Sequence, residues 1–214
     1  MREMAAEELY QKLLRKIVNG DMPAGTHLAE IPLANEYKAS RLHVKNALQR
    51  LKTDGLIRHE ENRGYYVREL PTGFWKELSV LRGALDGVLI RRAAELATED
   101  DIARLSGIVN RITVFIENDL IEDGLAEVEV FYNTIYQIAD YERITMILRQ
   151  NDELMDAVRF RSAETKEDHL AGLEQLKRIF AAIARRDADD AIAAVRERDE
   201  NLLMVLARHN ASGK

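Results

Sequence analysis

Apolar residues recur at helical spacing along most of this chain, in two sets that meet at a stretch containing Pro71 and Gly73. In the first set the spacing predicts helices over 5–18, 29–37 and 40–54, followed by short β-prone segments at 56–57 and 65–67. In the second set it predicts helices near 74–97, 100–118, 122–139, 142–163, 167–185 and 188–209. Proline disfavours helix in the residue before it, so we place the domain boundary here and predict domains over 1–70 and 71–214.

The segment 40–68 has the clearest local pattern. Ser40 is a suitable N-cap for a helix, and Gly55 supplies the positive φ that ends it. The apolar face of this helix is predicted to contain Leu42, Val44, Ala47, Leu48 and Leu51. A capped helix followed by a β-hairpin is typical of the recognition helix and wing of a winged helix-turn-helix. The predicted fold class is mainly α, with an N-terminal winged helix-turn-helix carrying a small β-hairpin wing and a C-terminal antiparallel six-helix bundle.

Polar side chains on this helix and at the hairpin tip have the donors that phosphates and base edges require. We predict that double-stranded DNA is bound by Ser40, Arg41, His43, Lys45, Asn46 and Arg50 on the helix and by Asn62, Arg63 and Gly64 at the tip. Two alternatives stay open: the helix face is only solvated, and the tip is an ordinary β-turn. His43 either reads a base or touches a phosphate.

Charge and composition narrow the class of protein. The net charge is -6, yet residues 38–68 contain 8 basic and 3 acidic side chains. This local basic patch coincides with the predicted recognition helix and wing. The chain contains no cysteine, which suits a reducing compartment, and no apolar run of the length of a membrane span. We therefore expect a soluble cytoplasmic protein that does not act at a membrane.

Residues 9–68 resemble the winged helix of GntR-family bacterial regulators. The resemblance rests on Ile17, Gly20, Pro23, Gly25, Leu28, Ala29, Glu30, Leu33, Ala34, Ser40, Arg41, Val44, Ala47, Leu48, Leu51, Gly55, Leu56, Asn62, Arg63, Gly64, Val67 and Arg68. Residues 78–209 are similar to the helical ligand-binding (FCD) domain of the FadR-type subgroup. That similarity rests on Leu81, Arg82, Leu85, Asp86, Ala93, Ala94, Phe131, Ile179, Phe180, Ala182, Ile183, Asp187 and Ala191.

This resemblance implies an effector-controlled transcription regulator, in most cases a repressor, that dimerises through its helical domain. It implies a homodimer bound to an inverted-repeat operator. The sequence departs from the family at Leu42 and His43, where Thr-Pro is frequent, and at Lys45, where arginine is usual. Because lysine is a point charge rather than a bidentate fork, we expect the docking mode to be kept and the operator sequence to differ.

Many FadR-type bundles hold a metal through one aspartate and three histidines. The corresponding positions here are Val128, Tyr132, Leu176 and Arg198, and the second domain contains only His169 and His209. We therefore predict no metal and no other cofactor.

Arg198 is instead predicted to bind an anionic effector, such as a carboxylate, with Arg82, Tyr132 and Tyr136 as further candidates. The alternatives are that Arg198 is surface charge, that Arg82 pairs with a neighbouring acid, and that both tyrosines are core. Gly83 and Gly87 form a notch on the same helix, serving helix packing or ligand clearance.

Two other functions compete with the regulator. One is a constitutive DNA-binding protein whose helical domain only dimerises. The other is an all-α enzyme with an appended nucleic-acid module. Against an enzyme, the sequence has no cysteine nucleophile, no G-x-S-x-G elbow, no phosphate-binding loop and no metal-binding histidine pair.

Overall fold

A computed structural model describes residues 4–71, 73–150, 154 and 165–211 of the chain. Contacts place the described residues up to Phe74 in one compact unit, and those of 75–150 and 165–211 in a second. The predicted fold class is confirmed, because a helix-turn-helix with a small antiparallel sheet precedes a set of long helices. Among the described residues, no helix is both long and apolar enough to cross a membrane.

The first unit contains three helices and three short strands. They are α1 (Ala6–Val18), β1 (His27–Leu28), α2 (Glu30–Tyr37), α3 (Arg41–Thr53), β2 (Ile57–Glu60) and β3 (Gly64–Val67). The sheet is antiparallel in the order β1-β3-β2, so β3 lies between the other two strands. The sequence predicted only the hairpin strands β2 and β3. It missed β1, in which His27 pairs with Tyr66.

Local signals explain where α3 begins and ends. The Ser40 hydroxyl accepts a hydrogen bond from the backbone N–H of His43 at 3.1 Å, as an N-cap should. Lys38 ends α2 in the left-handed region at φ 51°, and Gly55 follows α3 at φ 77°. These turns join α2 to α3 and then direct the chain into the hairpin.

The inner face of α3 corrects one residue of the predicted apolar face. Val44, Ala47, Leu48 and Leu51 are at most 1% exposed, whereas Leu42 is 65% exposed. Successive helical residues are rotated by about 100°, so Leu42 lies roughly 200° around the helix from Val44. Leu42 therefore faces outward, and its assignment to the core was wrong.

Over its described residues, the second unit contains six helices. They are α4 (Phe74–Leu96), α5 (Glu99–Glu117), α6 (Ile121–Ala139), α7 (described over 142–150), α8 (Lys166–Ala184) and α9 (Ala188–Ala211). Capping boxes open α5 at Thr98 and α8 at Thr165. The second half of the helix predicted over 142–163 lies outside the described residues.

A continuous apolar core holds these helices together. Its fully buried members include Leu89 of α4, Phe131 and Ile135 of α6, and Ile179 and Ile183 of α8. Burying each of these side chains contributes roughly 1.5–3 kcal/mol. The core provides a rigid frame for the few charged side chains that enter it.

Candidate nucleic-acid interface and bundle site

The side of α3 opposite its buried residues is exposed and polar, apart from one leucine. We call this surface the outer face of α3. Its exposed members over residues 41–49 are Arg41, Leu42, Lys45, Asn46 and Gln49. Three of the predicted DNA-binding residues, Arg41, Lys45 and Asn46, are therefore placed together and accessible. Gln49, whose position also predicts an outward-facing donor, joins them because it lies one turn beyond Lys45 and Asn46.

His43 faces a different direction. Its Nδ1 atom is 3.0 Å from the Met4 carbonyl oxygen, and the side chain is partly buried. Because a carbonyl only accepts hydrogen bonds, Nδ1 must carry the proton in this contact. The structure thus gives His43 a role in fixing the N-terminal segment against α3, and a DNA contact by His43 stays a prediction.

Arg50 also has partners within the first unit. Its guanidinium donates to Glu7 at 2.7 Å and lies 3.9 Å from the centre of the Tyr10 ring. The Tyr10 hydroxyl in turn donates to Asp54 at 2.7 Å. This chain of contacts ties α1 to α3, so Arg50 supports the position of the helix. A direct DNA contact by Arg50 stays a prediction.

The hairpin tip is a tight turn held by a residue of β1. Asn62 and Gly64 have positive φ values of 60° and 92°, and the Arg63 side chain is 76% exposed. His27 donates from Nε2 to the Arg63 carbonyl at 2.9 Å and stacks on Tyr66 with ring centres 4.8 Å apart. A Cβ atom at Gly64 would lie 3.1 Å from the His27 ring. Sequence reasoning missed His27 because a two-residue strand leaves almost no pattern.

In the second unit, Asp86 is a fully buried carboxylate at 0% exposure. Arg198 Nη1 lies 2.8 Å and Arg82 Nε 3.4 Å from its Oδ2, and the Tyr136 hydroxyl donates to its Oδ1 at 2.7 Å. Arg198 also donates to the Tyr132 hydroxyl at 3.1 Å and to Asp199 Oδ1 at 2.7 Å. We call this group the bundle cluster; it consists of Arg82, Asp86, Tyr132, Tyr136, Arg198 and Asp199.

Electrostatics separate the two carboxylates of the bundle cluster. Burial alone would raise the pKa of Asp86, but the charges of Arg198 and Arg82 outweigh burial and hold its pKa below the ordinary value. Burial raises the pKa of Asp199, and the charge of Arg198 only partly offsets that rise. Burial and the Asp86 charge together raise the pKa of Tyr136. Asp86 is thus the firmly ionised partner, and Asp199 the one that protonates more readily.

These contacts decide between the alternatives for the two arginines. Arg198 is not surface charge, since its side chain is only 15% exposed. Arg82 is the partner of a neighbouring acid, at the i, i+4 spacing from Asp86. Sequence reasoning missed Asp86 and Asp199 as members of the site. The Arg82–Asp86 spacing on α4 was the one signal that pointed to them.

Gly83 leaves room on α4 for the Asp199 side chain of α9. A Cβ atom at Gly83 would lie 1.7 Å from Asp199 Oδ2, whereas a Cβ at Gly87 would meet nothing within 4 Å. Of the two glycines in the predicted notch, Gly83 thus serves the contact with Asp199. We expect Gly83→Ala to lower the free energy of unfolding by about 1–3 kcal/mol, because Asp199 must move.

Gly87→Ala is the matched control for this prediction. It should be neutral or stabilise the bundle by about 0.5–1 kcal/mol, because alanine favours helix over glycine. Urea unfolding of both variants measures the difference. Equal stability of the two variants would contradict the packing described for Gly83.

The positions that correspond to the family's metal ligands do not suit a metal. Val128 and Leu176 have no donor atoms and pack with the apolar core, and Arg198 is a cation. Within the described ranges, no group of three His, Cys, Asp or Glu side chains is arranged to hold a metal ion. The Arg198 guanidinium of the bundle cluster thus stands at a position that the resemblance relates to a metal ligand, and the absence of a metal stays a prediction.

Comparison with known proteins identifies matches over both units. Residues 77–200 match the FCD domain, and residues 5–67 match the family described as bacterial regulatory proteins, gntR family. The HTH-type transcriptional repressor RspR of Escherichia coli is 29% identical over 187 residues, which are 86% of this chain and 80% of that protein. The gluconate operon transcriptional repressor of Bacillus subtilis is 27% identical over 181 residues, 82% of this chain and 74% of that protein.

Solved structures support the fold alone. Escherichia coli McbR/YncC superposes with a TM-score of 0.72 at 18% identity, covering 98% of this chain and 100% of that chain. The likeness extends over both units, each of which has the elements described above.

Proposed function

We propose that this chain, which belongs to the gntR family of bacterial regulatory proteins and carries an FCD domain, binds an inverted-repeat operator as a homodimer. We further propose that an anionic effector controls this binding. The chain is a DNA-binding transcriptional regulator of this family and not an enzyme. The observation that carries the proposal is the outer face of α3, where Arg41, Lys45, Asn46 and Gln49 are exposed side by side. Such donors bind phosphates and base edges in the major groove.

The wing supports DNA binding through a second contact. Arg63 is 76% exposed at the hairpin tip, and its nearest acid, Glu60, is 3.8 Å away. An ion pair this exposed contributes little to stability, so Arg63 can leave Glu60 and bind a phosphate with a small loss of free energy. We infer that Asn62, Arg63 and Gly64 approach the DNA backbone or the minor groove beside the site read by α3.

Dimerisation is supported by one face of α4. Val80, Leu81 and Val88 are 55%, 46% and 43% exposed, and Leu81 and Val88 lie on the side opposite the buried Ile90. An exposed apolar stripe of this kind favours burial against another surface. A second copy of the chain would bring an identical stripe, as two-fold interfaces require.

Effector control is supported by the charges of the bundle cluster. Arg198 pairs with two carboxylates. Asp199 is the one that gives up its charge more readily, because burial raises its pKa. We infer that an anionic effector displaces Asp199 and takes the Arg198 guanidinium. The alternative is a constitutive DNA-binding protein. This alternative is favoured by the ion pairs of the bundle cluster, because its two arginines and two carboxylates already neutralise each other without an effector.

Selection from a pool of random DNA duplexes tests the proposed function. We expect the purified protein to enrich one short inverted repeat, and sedimentation to show two chains per duplex. Enrichment of no sequence would contradict operator binding. One chain per duplex would contradict the homodimer.

Replacing Arg198 tests the effector. We expect carboxylate and phosphate metabolites to include at least one compound that raises the melting temperature of the wild-type protein. Arg198→Gln should weaken that compound at least about thirtyfold, because losing a desolvated charge partner typically costs 2–5 kcal/mol. Calorimetric titration measures the affinity.

Arg111→Gln on α5 is the matched control, since Arg111 forms an ion pair with Glu127 at a half-exposed position. Its affinity for the compound should equal that of the wild type. Normal binding by Arg198→Gln, or stabilisation of the wild type by neutral compounds only, would contradict an anionic effector. If no compound stabilises the wild type, the constitutive alternative is the better one.

A further inference from the structure

Leu42 is the one large apolar side chain on the outer face of α3. It lies in the first turn of the helix and is 65% exposed. Residues at i, i+4 and i+7 share one side of a helix, so Leu42, Asn46 and Gln49 form a line along α3. This line is opposite the buried Val44 and Leu51. Leu42 thus lies on the side of α3 opposite the core, near the N-terminal end of the helix.

The exposed residues next to Leu42 indicate which kind of partner would pack against it. Arg41 precedes it, Lys45 follows three residues later, and both are exposed cations. A positively charged surface with an apolar centre is complementary to the major groove, whose rims are phosphates and whose floor carries one apolar group. That group is the C5-methyl of thymine, because the other major-groove groups of the base pairs are hydrogen-bond donors and acceptors.

We propose that Leu42 selects thymine at one position of each half-site by packing against the C5-methyl group. The inference rests on the proposed function, since it requires α3 to enter the major groove. Leucine has no donor or acceptor, so it gains no hydrogen bond from any base, and among the four bases only thymine offers it a methyl group to pack against. An apolar contact therefore sets the specificity at this position. The hydrogen bonds proposed for Arg41 and Asn46 add to it at other groups of the DNA.

The test replaces thymine by deoxyuridine, which differs only by the missing methyl group. The probe is the inverted repeat that the wild-type protein enriches from random duplexes, with each symmetric pair of thymines replaced in turn. At one pair we expect wild-type affinity to fall about fifteenfold, or about fourfold per half-site, as the burial of one methyl group implies. Fluorescence anisotropy measures the affinities.

Leu42→Ala removes the apolar partner and should make binding at that pair insensitive to the methyl group. Arg63→Ala is the matched control on the wing, and it should keep the full methyl dependence while binding both duplexes more weakly. The side chain of Leu42 is exposed, so the variant should fold, which circular dichroism checks.

The possible results separate the two proposals. A methyl dependence that is present in the wild type and lost in Leu42→Ala supports the contact. No sensitive pair, or equal sensitivity in both proteins, overturns the assignment to Leu42 while operator binding stands. If the wild type enriches no sequence, the proposed function fails and this inference fails with it.

Discussion

Replacing Asp86 with alanine is expected to lower the free energy of unfolding of the second unit by about 3–5 kcal/mol. Asp86 is fully buried, accepts hydrogen bonds from Arg198 and Tyr136, and forms an ion pair with Arg82. Without it, two guanidinium groups at 15% and 10% side-chain exposure would compete for Asp199. Breaking a buried ion pair by removing one partner costs far more than an exposed pair contributes. Denaturant unfolding followed by circular dichroism measures the loss.

Asp189→Ala provides the matched control within the same unit. Asp189 lies in the first turn of α9 with its side chain 91% exposed, and Arg91 is 3.8 Å away. Its loss should change stability by at most about 0.5 kcal/mol. Comparable losses for the two variants would contradict the buried network. Asp86→Asn should fall between them, because it keeps a hydrogen-bonding group of similar size and removes only the charge.

The pH dependence of stability gives a second readout of the same network. The folded pKa of Asp86 lies below its ordinary value of 3.8, since the nearby arginines outweigh burial. The stability from its ionised form is therefore present above that pH and is lost as the pH falls towards the folded pKa. Asp199 shifts in the opposite direction, so its contribution decreases as the pH rises above 3.8 towards its folded value. Asp86→Asn should flatten the acid loss of stability.

Local sequence signals were sufficient for most of the fold. Ser40 as an N-cap and Gly55 at positive φ mark the two ends of α3, and both act through neighbouring backbone groups. Helical periodicity likewise predicted α5, which the structure places at Glu99–Glu117. These features depend on residues within one or two turns, so a single sequence contains them.

Features that depend on distant partners were not predictable in the same way. The contact between Arg198 and Asp86 joins residues 112 positions apart, and no pattern in either segment specifies it. Arg50 and His43 were predicted to bind DNA because their residue types suit DNA, and their tertiary partners, Glu7 and the Met4 carbonyl, could not be read from the helix. Residue type indicated the chemistry, and tertiary structure decided which groups are already occupied.

Arg41 is an exposed member of the predicted DNA-binding set, and its replacement by alanine is expected to have the largest effect on operator binding. Arg41 is the first residue of α3, next to the Ser40 cap, and its side chain is exposed. A bidentate arginine–guanine contact contributes about 1–3 kcal/mol of discrimination. A homodimer makes the contact twice, so Arg41→Ala should weaken binding by about 2–6 kcal/mol in total. Titrations with the selected operator, and with operators changed at one base pair per half-site, measure this loss.

Arg15→Ala separates base recognition from a general loss of positive charge. Arg15 is an exposed arginine on α1, and its replacement changes the net charge of the first unit by the same amount. If Arg41 reads a base, its variant should lose preference at one position per half-site, while Arg15→Ala binds every operator with wild-type preference. If Arg41 contacts only phosphate, all sequences weaken equally and the salt dependence of binding becomes shallower. Unchanged affinity and selectivity in Arg41→Ala would show that α3 is not the recognition helix.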